Sequence, residues 1–330
     1  MQLMNRREFA TSLAATAAAL AWPSISHAEE PIALLKILFG FPPGGVGDLV
    51  TRGVGMKMTP GYTKTAIVDS KPGAAGRLIM ETVKTAPADG SVVLVTPSSV
   101  VSMYPHVYTK LSYDPFMEIT PVSSICEFVH ALAVGPGVPE SVKSLPDLIA
   151  WFKANPDKAS VANPGEGSLP HFLTMLLSKA IGLKIEAIAY AGGPPGVKDT
   201  MGGQVPAMIA NEAQFINLYR EGKLRLLATS GAQRSQFSPN VPTFAEQGIR
   251  NIQISEWIGM FAPAKTPPAV TARISAAVRA ALAQPDLVES FGKYAIRPMP
   301  STPDELGKRL KADYDFWGPT IKSTGFTPLS

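Results

Sequence analysis

Leu35-Lys36-Ile37-Leu38-Phe39-Gly40-Phe41-Pro42-Pro43-Gly44-Gly45-Val46-Gly47-Asp48 is an apolar run of strand length, broken by a Pro-Pro-Gly-Gly turn and followed by a helical pattern over 48–58. Strand, glycine turn and helix in that order leave backbone N–H groups free at the positive end of the helix dipole, a ready site for an anion. The glycines let the backbone approach an oxyanion closely, and the prolines stiffen the loop without adding donors. The same order also describes an ordinary strand-to-helix turn, so this stretch alone leaves both readings open.

Downstream the pattern repeats. A strand at 65–69 leads to a second glycine turn, Lys71-Pro72-Gly73-Ala74-Ala75-Gly76, then a helix over 77–84, the turn Pro87-Ala88-Asp89-Gly90 and a strand at 92–96. This βαβαβ order predicts a largely parallel sheet with helices on its faces. Ligands of such sheets sit beyond the carboxyl ends of the strands. Both glycine turns and Thr96-Pro97-Ser98-Ser99 belong at that edge, which makes Ser98 a candidate contact.

Strands at 119–125 and 128–134 are predicted to cross from one unit to another. The alternation then restarts, with a helix over 145–154 capped by Ser144, a strand at 160–162 and a helix over 170–180. Next come a strand at 185–190, the turn Ala191-Gly192-Gly193-Pro194-Pro195-Gly196 and a short helix over 197–201. Strands at 207–210 and 224–229 flank a helix over 214–221, and 252–261 crosses back. Helices over 268–283, 286–293 and 304–321, with a strand at 296–299, close the chain. The expected fold is α/β and two-lobed, each lobe a mostly parallel sheet flanked by helices, with a hinged cleft between them. Residues 29–130 plus 256–330 form lobe 1 and 131–255 form lobe 2.

Residues 1–28 read as an export signal. Asn5-Arg6-Arg7-Glu8-Phe9 precedes a weakly apolar, alanine-rich run over 10–22, and Ser26-His27-Ala28 fits a small-x-small cleavage site. The arginine pair resembles a twin-arginine signal. The apolar run is too short to be a membrane anchor, which needs about 20 residues. The chain carries a net charge of +4, and without Arg6, Arg7 and Glu8 there remain 28 basic against 25 acidic side chains. That balance is too mild and scattered for a nucleic-acid protein. Cys126 is the only cysteine, which excludes an internal disulfide and argues against a thiolate metal cluster. The 31 prolines and 28 glycines fall between periodic segments, as in a loop-rich folded chain.

The chemistry-bearing residues are sparse. Ser168 and His171 lie three apart with Asp199 following, which invites a hydrolase reading, but there is no Gly-x-Ser-x-Gly elbow. A serine opening a helix is more simply a cap, with His171 supporting the loop. Asp48 at a helix start is expected to organise the anion loop. His106 and His130 lack partners at metal-ligand spacing, and no phosphate-binding or dinucleotide fingerprint occurs, so neither metal nor cofactor is expected. Trp151, Trp257 and Trp317 are assigned to packing.

Several motifs in order resemble those of the solute receptors of tripartite tricarboxylate transporters, the Bug family. Phe41-Pro42-Pro43-Gly44-Gly45-x-x-Asp48 looks like the first signature of that family, and Lys71-Pro72-Gly73-Ala74-Ala75-Gly76 its second glycine loop. Ala88-Asp89-Gly90, Gly167-Ser168-x-x-His171, Tyr190-Ala191-Gly192-Gly193 and Gly202-Gly203-Gln204-Val205 follow in family order. So do Val241-Pro242-Thr243-x-x-Glu246-x-Gly248 and Trp257-x-Gly259. The resemblance implies a periplasmic, non-enzymatic binding protein, a monomer by default, that closes on a small carboxylate and delivers it to a membrane permease. Carried over residue by residue, it implies that Pro43, Gly44, Gly45 and Val46, with Gly73, Ala74 and Ala75, pin one carboxylate through backbone N–H groups. Ser168, His171, Tyr190, Gly192 and Gly193 belong to loops that close from the second lobe, and Asn211 is a candidate specificity contact or a helix cap. The chain departs from the family at Asp69-Ser70, where an acid-Asn pair is usual, and at Arg77, a cation just after the second loop that either reaches the ligand or sits on a solvated helix face. A carboxylate sensor that docks to a signalling partner is the alternative to transport, and a small-acid hydrolase is the third reading.

Overall fold

The computed structural model describes residues 30–330, so the export-signal reading lies outside the described residues. The first half contains β1 (Leu35–Phe39), α1 (Val46–Lys57), β2 (Ala66–Ser70), α2 (Leu78–Lys84) and β3 (Val92–Pro97), then α3 (Tyr104–Val107) and α4 (Pro115–Glu118). It leads into β4 (Ile119–Val134), a strand of 16 residues. The middle of the chain forms α5 (Leu145–Ala154), β5 (Ser160–Asn163), α6 (Leu169–Ile181), β6 (Glu186–Ala189), α7 (Gly193–Met201), β7 (Ala207–Asn211), α8 (Ile216–Arg220) and β8 (Arg225–Thr229). The chain returns through β9 (Ser255–Pro263) to α9 (Pro268–Leu282), α10 (Pro285–Lys293), β10 (Arg297–Pro298) and α11 (Pro303–Thr324).

The strands run in the order β2-β1-β3-β9-β4-β7-β5-β6, with β8 and β10 also paired to β4. At each end the pairs β2–β1–β3 and β7–β5–β6 are parallel, as βαβ crossovers require. The centre is antiparallel, because β9 and β4 run against each other and against their outer neighbours. The fold is therefore α/β, with parallel strands at both ends of the sheet and a mixed rather than mostly parallel arrangement overall.

Two expectations need correction. The segments predicted as separate strands at 119–125 and 128–134 are one strand, β4. The expected break falls at 126–127, but Cys126 and Glu127 pair with Ile258 and Trp257 of β9, and the register shifts instead between Pro121 and Ser123 and again between Ser124 and Cys126. Bulges admit a proline that a regular ladder would reject. Up to Val129 this strand pairs with β9, and from His130 onward with β7 and β8. The second correction is at α7, which begins at Gly193 rather than near 197. Pro194 and Pro195 occupy its first turn, where a missing N–H costs nothing.

Both faces of the sheet are buried. On β1, Leu35, Ile37 and Phe39 point into a core shared with Val54 of α1, Ile274 of α9 and Phe291 of α10. Leu38 points the other way, into a core with Leu94, Trp257, Phe172 and Trp317. Each such side chain contributes about 1.5–3 kcal/mol when fully buried. Trp257 is fully buried, with its indole N–H donating to Asp313 at 2.6 Å, and Cys126 is buried too. The C-terminal tail closes back on the first half: the Leu329 N–H donates to Val107 O and the Thr109 N–H to Leu329 O, both at 2.8 Å. Phe326 stacks edge-on to Phe172 of α6, with ring centroids 5.0 Å apart. Among the described residues, no helix is long and apolar enough to cross a membrane.

Candidate functional site

The strand β1 delivers the chain to the first glycine loop, and Gly45 is the N-cap of α1 with no side chain of its own to cap it. Helix geometry leaves the N–H groups of Val46 and Gly47 without intrahelical acceptors. Gly44 lies at φ +89°, a conformation that glycine adopts freely. Its N–H donates to the carboxylate of Asp48 at 3.0 Å, and Arg52 pairs with the same carboxylate at 2.9 Å. Burial alone would raise the Asp48 pKa, but the Arg52 and Gly44 hydrogen bonds outweigh it and hold the carboxyl below its ordinary value. Asp48 thus fixes the loop from within, at N3 rather than at the cap, and consumes one of the loop's donors.

The second loop is held in a strained shape. Ala74 and Ala75 both adopt left-handed backbone, at φ 46° and 55°, which costs L-residues about 1–2 kcal/mol each. Gly76 is locked under Phe41, because a Cβ added to it would lie 2.6 Å from the ring. Phe41 therefore joins the two glycine loops. Arg77 neither reaches outward nor sits free: its Nε donates to Ala74 O at 3.0 Å and its guanidinium lies 3.6 Å over the Tyr108 ring. It braces the strained turn. Ser98 is buried, and its carbonyl accepts from the Ser102 hydroxyl.

On the other half, Ser168 caps α6, its Oγ accepting from the His171 N–H at 3.3 Å. The His171 Nδ1 accepts from the Gly167 N–H at 2.9 Å, and its ring lies edge-on to Phe326. Burial pushes the imidazole pKa down, although Glu166 pulls it up. Asp199 is engaged elsewhere, accepting from the Tyr190 hydroxyl at 2.9 Å. Ser168, His171 and Asp199 therefore do not assemble a relay. Gly192, at φ +97°, is the N-cap of α7, and Gly193 makes room for the Gln214 amide, which a Cβ there would overlap. Asn211 closes β7, and its Oδ1 accepts from the Ala213 N–H at 2.8 Å.

One cavity of about 810 Å³ joins the two halves. Gly44, Gly45 and Val46 line it from the first loop; Pro194, Val197, Lys198, Met201 and Gly202 line it from α7 and its end; Asn211 and Gln214 complete it. Of the residues expected from sequence, Gly44, Gly45, Val46 and Asn211 meet there. Phe41, Pro43, Asp48, Gly73, Ala74, Ala75, Ser98, Ser168, His171, Tyr190, Gly192 and Gly193 stand outside its wall. Asn211 is both a cap and a wall residue. The α7 face was missed, although Pro194, Val197, Lys198 and Met201 carry an i, i+3, i+4, i+7 signature once the helix is started at Gly193. His130 has a partner that local spacing could not reveal, Glu256 at 3.1 Å. No group of three metal-ligating side chains occurs among the described residues.

The chain is similar over most of its length to several known proteins. It is 29% identical over 302 residues to Protein BugT of Bordetella pertussis, covering 91% of this chain and 92% of that one. Its fold superposes with a TM-score of 0.82 on R. palustris Rpa4515, solved with adipate, at 26% identity and covering 91% and 99% of the two chains. The periplasmic binding protein BugD superposes at 0.77, with 26% identity and 92% and 99% coverage. The family described as tripartite tricarboxylate transporter family receptor matches residues 50–326, and the chain belongs to it.

Proposed function

We propose that this protein is a periplasmic receptor, exported by its 1–28 signal with cleavage near Ala28, that closes two lobes around a small carboxylate and passes it to membrane permease subunits. Lobe 1 comprises 29–130 with 256–330, lobe 2 comprises 131–255, and the working form is a monomer. The observation that carries the reading is the cavity in which Gly44, Gly45 and Val46 face residues of the other half. Backbone donors at the α1 N-terminus hold a carboxylate without a buried cation, and charge-assisted hydrogen bonds contribute about 1.5–3 kcal/mol each. Such neutral recognition permits release, which a transport receptor needs. The R. palustris relative solved with adipate supports a carboxylate as the ligand class. The residues that would serve a hydrolase are spent on capping and packing, which supports binding without turnover.

Thermal shift of the purified protein against mono-, di- and tricarboxylates and acidic amino acids tests the proposal. A ligand at 100 times its Kd adds about 2.7 kcal/mol of apparent stability. One-to-one calorimetric binding with the ligand recovered unchanged is expected. Silence across the panel, or conversion of a bound acid into product, would overturn it.

A further inference from the structure

The cavity carries more chemistry than one carboxylate uses. Along one face of α7, Pro194, Val197, Lys198 and Met201 follow the spacing that places side chains on one side of a helix. Three of the four are apolar, and Val46 adds apolar surface from the first loop. Lys198 is the only charged residue on the wall. Its side chain has no ion pair or hydrogen bond among the described residues. The adjacent acid, Asp199, is already taken by Tyr190.

Lys198 is exposed in the open cavity, and an exposed lysine is well solvated and gains little from a counter-ion. The walls beside it are apolar, however, so a ligand that enters displaces water and strengthens the attraction. A carboxylate held at the α1 N-terminus engages neutral backbone donors and leaves this cation unused. The α7 face from Pro194 to Met201 is about 10 Å long at 1.5 Å per residue, so a chain of several carbons fits along it. We infer that Lys198 is a specificity-determining residue that engages a second anionic group at the far end of the ligand. The preferred ligand is then an extended dicarboxylate with an apolar middle, rather than a monocarboxylate or a compact hydroxy acid. This inference rests on the receptor reading and deepens it.

The test is calorimetry on the full chain with matched pairs: glutarate, adipate and pimelate against pentanoate, hexanoate and heptanoate. The wild type should bind at least one diacid ten or more times as tightly as its monoacid, with the gap shrinking as salt is added. Lys198→Met should reduce that gap to under threefold while leaving the ligand-free melting temperature unchanged. Lys198→Arg, which keeps the charge, should retain the preference. Equal binding of both series by the wild type, or a gap that survives Lys198→Met, overturns the inference and leaves the receptor reading standing. No binding by either series removes both.

Discussion

Removing the carboxylate of Asp48 should weaken the binding of an anionic ligand, although simple electrostatics argues the reverse. Asp48 is 6% exposed, and its carboxylate accepts the Gly44 N–H at 3.0 Å. A hydrogen bond of this charged kind is worth about 1.5–3 kcal/mol. The partner Arg52 has a side chain 47% exposed, so its i,i+4 pair adds only about 0.3–0.5 kcal/mol after solvent screening. Asp48→Ala should therefore cost about 2–3 kcal/mol of stability and release the first glycine loop. If half of that cost reappears when the loop is ordered around the ligand, the Kd rises about tenfold. Asp48→Asn keeps an oxygen within reach of Gly44 while removing the charge, and should bind within about threefold of the wild type, a difference worth under 1 kcal/mol. Urea denaturation followed by circular dichroism gives the stability, and calorimetry with the tightest carboxylate gives the affinity. An Asp48→Ala protein with an unchanged midpoint and equal or tighter binding would refute the assignment of Asp48 as the loop's organiser.

Ser168→Ala should lower stability by about 1 kcal/mol, the usual worth of an N-cap, and leave carboxylate affinity within twofold, because Ser168 lies outside the cavity wall. A loss of binding larger than its loss of stability, measured on the same preparation, would count against the capping role. Acidification should expose His171. Burial depresses its folded-state pKa, so the unfolded chain takes up a proton near about pH 6.5 before the folded chain does. Its contribution is complete above that pH and declines as pH falls toward the folded pKa. Urea midpoints between about pH 8 and pH 5 should show that decline, and His171→Asn should flatten it; an unchanged profile in the variant would show that other groups are responsible.

The first strand, turn and helix were legible because their signals are local: an apolar run, a Pro-Pro-Gly-Gly break and a periodic stretch. The cap at Ser144 was legible for the same reason, its Oγ accepting from the Asp147 N–H. The continuity of β4 was not, because the charged Glu127 interrupts the apolar pattern at 126–127, whereas its pairing with Trp257 of β9 carries the ladder through. At α7 the residues Gly192 to Gly196 spell a turn, yet the two prolines suit a first helical turn, and the cleft face appears only after that choice is made. Long-range partners were out of reach altogether. Glu212 is fully buried and accepts from the hydroxyls of Ser235 and Ser238, more than 20 residues away. Of the candidate site, the half built from backbone in a glycine loop could be read, whereas the half built from side chains on a helix needed the fold.

The seam at 326–329 has a consequence for the order of folding. Phe326 and Leu329 complete the surroundings of Val107, Thr109, His171 and Phe172, and Thr109 is 220 positions from its partner Leu329. The entropy of closing so long a loop must be met before the contact rewards it, so this seam is expected to form after the local βα units rather than to seed them.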